Sequence, residues 1–149
     1  MASQYITFMI VFTLGLSMVI VTNEMFTTMS DQFQLNIAEF EMKQVLDEIQ
    51  TQIYENLLLT SNFNQTIQQR LDLPENLAQG YGYTIGISNS TSNEVIINGV
   101  TFNERINQTK TFSIGSTYSI GTQGEFSSTS PELILRIEKV GTEILIQIS

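Results

Sequence analysis

The sequence contains no cysteine, no histidine and no tryptophan, and only two of its 149 residues are proline. Without cysteine there is no disulfide framework. Without cysteine and histidine, most zinc sites and the common nucleophilic triads are excluded. We therefore expect no catalytic residues, no metal site and no cofactor, and we expect that the chain is not an enzyme.

Basic residues are scarce as well. Six Lys and Arg residues stand against fifteen Asp and Glu residues, which gives a formal net charge of −9. This charge argues against nucleic acid and anionic lipid headgroups as partners, because both are polyanions. The carboxylate pairs Glu39/Glu41 and Asp47/Glu48 lie in a segment with a helical pattern, where a solvated surface is the simpler interpretation. The glycines near residue 80 fit no phosphate-binding loop followed by a helix, so we expect no small-molecule substrate.

Charge is also missing from the first part of the chain. The first charged residue is Glu24, and residues 5–21 are rich in Ile, Val, Leu, Phe and Met. Since about 20 apolar residues in a helix span a bilayer, we predict a transmembrane helix in residues 1–26. No Lys or Arg precedes Lys43, so the basic region typical of a signal peptide is missing, and we expect a retained single-pass anchor.

Two hydroxyl residues within this apolar run, Thr13 and Ser17, share one helix face. Small polar residues in that arrangement support close contact between membrane helices. The alternative is that both hydroxyls donate hydrogen bonds to the preceding turn of their own helix. The second interpretation is favoured, because no GxxxG motif is present.

The orientation of the anchor can be predicted only indirectly. No Lys or Arg lies within ten residues of either end of the apolar run, so the positive-inside rule gives no answer. Three N-x-S/T sequons, which are acceptors only in an extracytoplasmic chain, start at Asn64, Asn89 and Asn107. With the acidic composition, they favour a C-terminal domain outside the cell membrane, and the three asparagines are candidate glycosylation sites.

The helical pattern continues past the apolar run. Neither Gly nor Pro occurs between Gly15 and Pro74, and apolar residues recur in steps of three and four. We predict one helix over about residues 4–59, in which residues 27–60 form an amphipathic stalk. Its apolar residues form two groups, the 26–40 stripe and the 46–57 stripe. The former consists of Phe26, Met29, Phe33, Ile37 and Phe40, and the latter of Leu46, Ile49, Ile53 and Leu57.

An amphipathic helix outside the membrane has to bury its apolar face. The 46–57 stripe is close enough to the C-terminal domain to pack on it. The 26–40 stripe lies nearer the bilayer, so its residues are candidates for helix packing between subunits. The alternative is a helix that stays partly exposed or binds at the membrane interface.

The rest of the chain is predicted as a connector followed by a β-rich domain. Residues 61–79 form the connector, with a possible short helix over 63–73 that has Ile67 and Leu71 on one face. From residue 80 the apolar period becomes two, which indicates strands over 80–149. Asn98-Gly99 predicts a hairpin turn, and residues 121–130 predict a loop. Five or six short antiparallel strands would form a small sheet or sandwich.

The predicted fold class is therefore α+β: a long N-terminal helix, comprising anchor and stalk, with a small β head. This arrangement resembles archaeal type IV pilin-like proteins, the group that includes archaellins and minor pilins. The resemblance includes an apolar helix running into an amphipathic stalk, the passage from Leu73-Pro74 to Tyr83-Thr84-Ile85, and the closing hairpin of residues 132–146. The pattern departs from bacterial-type pilins, which place a Glu early in the apolar helix, whereas Glu24 lies too late.

The resemblance implies a structural subunit of a surface filament, or a component of its assembly, that polymerises or docks through the N-terminal helix. Its partners would be the membrane and copies of itself or other pilin-like subunits. The alternative is a membrane-anchored extracellular binding module that contacts an S-layer, a motor stator or a ligand. Archaellum stator-type proteins share the same layout.

Overall fold

The structure is a computed structural model that describes residues 2–60, 65–78, 80–115, 118–130 and 132–149. One long helix precedes seven strands, which confirms the predicted α+β class. The elements are α1 (Ala2–Thr60), β1 (Thr66–Leu71), β2 (Tyr83–Thr91), β3 (Glu94–Thr101), β4 (Asn107–Ser113), β5 (Ser119–Ser127), β6 (Leu133–Val140) and β7 (Glu143–Ile148). The chain divides into two compact units, Met1–Asn36 and Ile37–Ser149.

The seven strands form one sheet in the order β1-β6-β7-β5-β2-β3-β4. All neighbouring pairs are antiparallel except β5 and β7, which are parallel. Strand β7 follows all the others in the sequence but lies in the interior of the sheet, between β6 and β5. The prediction of a purely antiparallel sheet is therefore wrong for this one pair.

Strand β5 changes its partner along its length. Its first six residues, up to Gly124, pair with β7, and its last three residues pair with β2. Gly124 has a φ of +120°, and a Cβ at this position would overlap the backbone carbonyl of Ile148. Only glycine fits the point where the strand leaves one neighbour for the other.

The core of the second unit lies between the C-terminal part of α1 and one face of the sheet. On α1 the buried residues recur in steps of three and four, and they include the whole 46–57 stripe, as predicted. On the strands every second residue is buried, as the pleat requires. In β2 these residues are Tyr83, Ile85 and Ile87, in agreement with the predicted apolar period of two.

The possible short helix in the connector is contradicted where the structure describes it. Residues 66–71 form β1, an edge strand that pairs with β6. Ile67 and Leu71 are four residues apart, a spacing that fits one face of a helix and also one face of a strand. Pairing with β6 decides between these alternatives, and no local signal in the sequence reports that pairing.

Two further predictions about the sheet are wrong. Asn98 and Gly99 do not form a turn but lie inside β3, paired with β2 on one side and β4 on the other. Gly99 faces α1, and a Cβ there would overlap the sulfur of Met42, so this glycine permits close helix–sheet packing. Most of the predicted 121–130 loop belongs to β5, because pairing with β7 and β2 overrides its Gly- and Ser-rich composition.

Candidate interaction surface on helix α1

The N-terminal part of α1 is exposed over its whole circumference. Every side chain in residues 3–34 is exposed, although most of residues 5–21 are apolar. Among the described residues, α1 is the single helix that is long and apolar enough to be a candidate membrane span. Its first charged residue, Glu24, marks the end of the uncharged stretch.

The hydroxyl groups in this stretch are satisfied within the helix. Thr13 Oγ1 donates to the carbonyl of Met9 at 2.8 Å, and Ser17 Oγ donates to the carbonyl of Thr13 at 2.8 Å. Thr22 Oγ1 bonds to Met18 in the same way. The interpretation that these hydroxyls bond to the preceding turn is confirmed, so their protons are not free for a neighbouring helix.

Four of the five residues in the 26–40 stripe are largely exposed. The exposed fractions are 68% for Phe26, 56% for Met29, 66% for Phe33 and 61% for Phe40. Ile37 is partly buried. Contact of the stripe with another subunit stays a prediction.

Within the second unit, the covered and uncovered faces of α1 differ in chemistry. The face towards the sheet contains Ala38, Met42 and Ile49, each with no exposed surface. Between Phe40 and Leu58, the exposed residues are polar or charged apart from Tyr54, which contacts β4. They are Lys43, Gln44, Asp47, Glu48, Thr51 and Glu55. Where this helix meets solvent beside its own sheet, its surface is thus predominantly hydrophilic.

One edge of the sheet is attached to α1 through polar and aromatic contacts. On β4, Lys110 forms an ion pair with Asp47, and Gln108 Nε2 donates to Glu39 Oε1 at 3.1 Å. The ring of Tyr54 packs on Phe112 with 5.2 Å between centroids. These contacts fix β4 along the flank of the helix, next to its solvent-facing side.

The other edge strand, β1, is attached by a chain of amides. Gln69 faces inward from β1 and accepts a hydrogen bond from Asn56 Nδ2 at 2.7 Å. Its own Nε2 donates to Gln52 Oε1 at 2.7 Å. Gln69 is polar at a position where strand alternation calls for an apolar residue, and this departure was the signal in the sequence for a contact with Gln52 and Asn56.

The junction between connector and sheet is also bonded to α1. The backbone N–H of Ala78, which has a φ of +44°, donates to Glu41 Oε2 at 2.5 Å. Nearby, Tyr83 Oη donates to the carbonyl of Pro74 at 2.6 Å. Burial raises the pKa of Tyr83 well above its usual range, and the charge of Glu48 raises it further. Glu41, placed on the solvated stalk by sequence analysis, is therefore a structural hydrogen-bond acceptor.

The three sequons occupy different environments. Asn89 is engaged at the split between β2 and β5: its Nδ2 donates to the carbonyl of Ile120 at 3.2 Å, and its Oδ1 accepts from Thr122. Asn107, the first residue of β4, is exposed. Asn64 lies outside the described residues. Both described asparagines are exposed residues, but the side-chain amide of Asn89 is held in these two hydrogen bonds.

No cluster that could hold a metal ion occurs among the described His, Cys, Asp and Glu residues. The carboxylates of Glu39, Glu41 and Asp47, which sequence analysis considered as pairs, instead contact Gln108, Ala78 and Lys110. No protein-family model, no curated protein and no solved structure matches this chain.

Proposed function

We propose that the chain is a non-enzymatic structural subunit, or an assembly component, of a type IV pilin-like surface filament. In this proposal it associates with copies of itself or with similar subunits through α1. The observation that supports it is the exposed 26–40 stripe. This stripe is apolar, whereas the solvent-facing side of the same helix beside the sheet is predominantly polar.

The chemistry of the stripe favours a partner over solvent. Burial of one Phe side chain stabilises an assembly by about 1.5–3 kcal/mol, and the stripe contains three exposed Phe residues and one exposed Met. Large contiguous apolar surfaces on soluble regions commonly mark interaction sites. A helix surface evolved only to face water would instead resemble the polar positions between residues 43 and 55.

The apolar run before Glu24 supports membrane anchoring of the subunit. We propose that α1 resides in the lipid bilayer before assembly and that the β-rich unit is outside the cytoplasm. The exposed sequon asparagine Asn107 supports this orientation, since such sites are modified only in an extracytoplasmic chain. The net charge of −9 disfavours nucleic acid as a partner.

Replacement of Phe33 by Asp tests the proposal. The change places a charge on the proposed contact surface, and an unpaired buried charge is strongly unfavourable. We expect loss of filaments in electron micrographs of material sheared from cells, and a shift towards monomer in detergent sedimentation. Because Phe33 has no core role, the circular dichroism spectrum should stay unchanged.

The matched control is Gln34→Asp, which adds the same charge to the exposed neighbouring position on another face of the helix. We expect this variant to assemble like the natural chain. If Phe33→Asp also assembles normally, association through the stripe is refuted. If the natural chain forms no filaments and is monomeric in detergent, a membrane-anchored binding module replaces this proposal.

A further inference from the structure

Large apolar residues recur along the N-terminal part of α1 with a strict spacing of seven. They are Tyr5, Phe12, Val19, Phe26 and Phe33, and all five are exposed. We refer to these residues as the seam. A seven-residue repeat of apolar side chains is the period at which two α-helices wind around each other in a left-handed supercoil. Contact with lipid tails alone requires apolar residues but no such period.

The seam is longer than a bilayer core. From Tyr5 to Phe33 the helix rises about 42 Å at 1.5 Å per residue, whereas the hydrocarbon layer is about 30 Å thick. Lipid therefore cannot cover Tyr5 and Phe33 at the same time on an upright helix. A soluble partner cannot reach the lipid-embedded end. A partner that covers the whole seam must itself cross the water–lipid boundary as a helix.

Charge is kept away from the seam. Glu24 and Asp31 are the two charged residues among positions 2–36, and each lies two positions before a seam phenylalanine. Two positions correspond to about 200° around a helix, so both carboxylates project from the side opposite Phe26 and Phe33. Two copies of an acidic chain can thus meet along the seam without opposing these carboxylates.

Near the middle of the seam, two positions three residues after a seam residue are small and provide space for close approach. Gly15 follows Phe12 and Thr22 follows Val19, whereas Phe8, which follows Tyr5, is large. A Cβ placed on Gly15 would meet no atom within 4 Å, so its own chain does not fill the gap. Large side chains alternating with small ones let the side chains of facing helices interdigitate.

We propose that the seam binds α1 of a second copy of this chain, as a parallel, in-register pair in the membrane. Copies inserted with the same topology are necessarily parallel. The bilayer fixes their relative height, because a shift by seven residues, about 10 Å, would carry Glu24 of one copy into the hydrocarbon. The inference rests on the proposed association through α1. It adds that two helices associate, that they meet along the seam, and that identical residues lie side by side.

Cysteine cross-linking tests this pair directly, because the natural chain contains no cysteine. Single variants Phe26→Cys and Phe33→Cys place a thiol at the seam. Asp31→Cys and Gln32→Cys place one on other faces at the same height. The full-length variants are oxidised in membranes with copper phenanthroline and separated on non-reducing gels. We expect dimers to form at least about tenfold faster for the two seam variants than for the two controls, since parallel in-register helices bring identical positions together.

Two copies with different cysteines test the register. Co-expression of Phe26→Cys with Phe33→Cys should yield same-position dimers and few mixed ones. Predominantly mixed dimers overturn the register while leaving association through α1 intact. Equal rates at seam and control positions, or no cross-link at either seam position, overturn the pair itself. Failure of the proposed function is a separate result, namely unchanged assembly of Phe33→Asp.

Discussion

Two stretches of the same helix meet different surroundings. In residues 38–60, α1 buries one face against its own sheet and exposes mainly polar residues elsewhere. In residues 3–34, no side chain is buried, although apolar residues are at least as frequent. The first stretch is stabilised by contacts within the chain. The second stretch exposes apolar side chains along its whole length.

This difference separates folding from association. Side chains of the covered stretch should determine the stability of the β-rich unit and have little effect on assembly. Side chains of the exposed stretch should determine membrane binding and assembly and have little effect on that stability. Substitutions of similar size in the two stretches can therefore test the distinction.

The largest effect is expected for Ile53→Ala. Ile53 lies on the buried face of α1 and has no exposed surface. Its truncation to Ala leaves a cavity and should lower the free energy of unfolding by about 2–5 kcal/mol. Leu59→Ala, at an exposed position of the same helix, should change it by less than about 0.5 kcal/mol. Denaturant unfolding followed by tyrosine fluorescence measures both, since the chain has no tryptophan.

Phe33→Ala completes this comparison, because it removes a larger side chain from the exposed stretch. We expect the unfolding midpoint of the β-rich unit to stay at the natural value. A loss comparable to that of Ile53→Ala would show that the exposed stretch contributes to the fold of a single chain, and the division between the stretches would be wrong.

A smaller effect is expected for the amide chain between β1 and α1. Gln69→Ala removes the hydrogen-bond partner of the buried Asn56 and should destabilise the fold by about 1–3 kcal/mol. Hydrogen exchange should show the greatest loss of protection in β1, which is an edge strand. Gln68→Ala, on the exposed side of the same strand, is the matched control. Equal losses for both variants would contradict the role assigned to Gln69.

The smallest effect is expected for the ion pair between Lys110 and Asp47. Its side chains are 34% and 60% exposed, so water and salt screen the attraction. Asp47→Asn should cost less than about 1 kcal/mol in the free energy of unfolding, and the cost should decrease in high salt. A cost that is larger and independent of salt would indicate that β4 depends on this pair more than on the contact between Tyr54 and Phe112.

Those parts of the fold that depend on local pattern were predictable. The long helix, the buried face of β2 and the final hairpin of β6 and β7 all follow from apolar periodicity. The errors concern elements decided by distant partners. Strand β1 was predicted as a possible helix because Ile67 and Leu71 fit both periods. Gly99 was predicted in a turn because Asn-Gly is a strong hairpin signal, and the close approach of Met42 that requires a glycine there cannot be recognised in the sequence.

The interaction surface was predictable in a similar, partial way. The 26–40 stripe was recognised from its spacing, and four of its five side chains are largely exposed. The contacts of Glu41 and Gln52 with the β-rich part were missed, because each joins positions far apart in the chain. Such pairings depend on the order of the strands in the sheet. The sequence predicted five or six strands but did not predict their order.

The interior position of β7 has a consequence for biogenesis. The residues of β5 that pair with β7 leave the ribosome before β7 does. This side of β5 therefore has no hydrogen-bonding partner strand until β7 has emerged. The sheet is therefore complete only when β7 has joined it, and β5 is an unpaired edge in any shorter nascent chain.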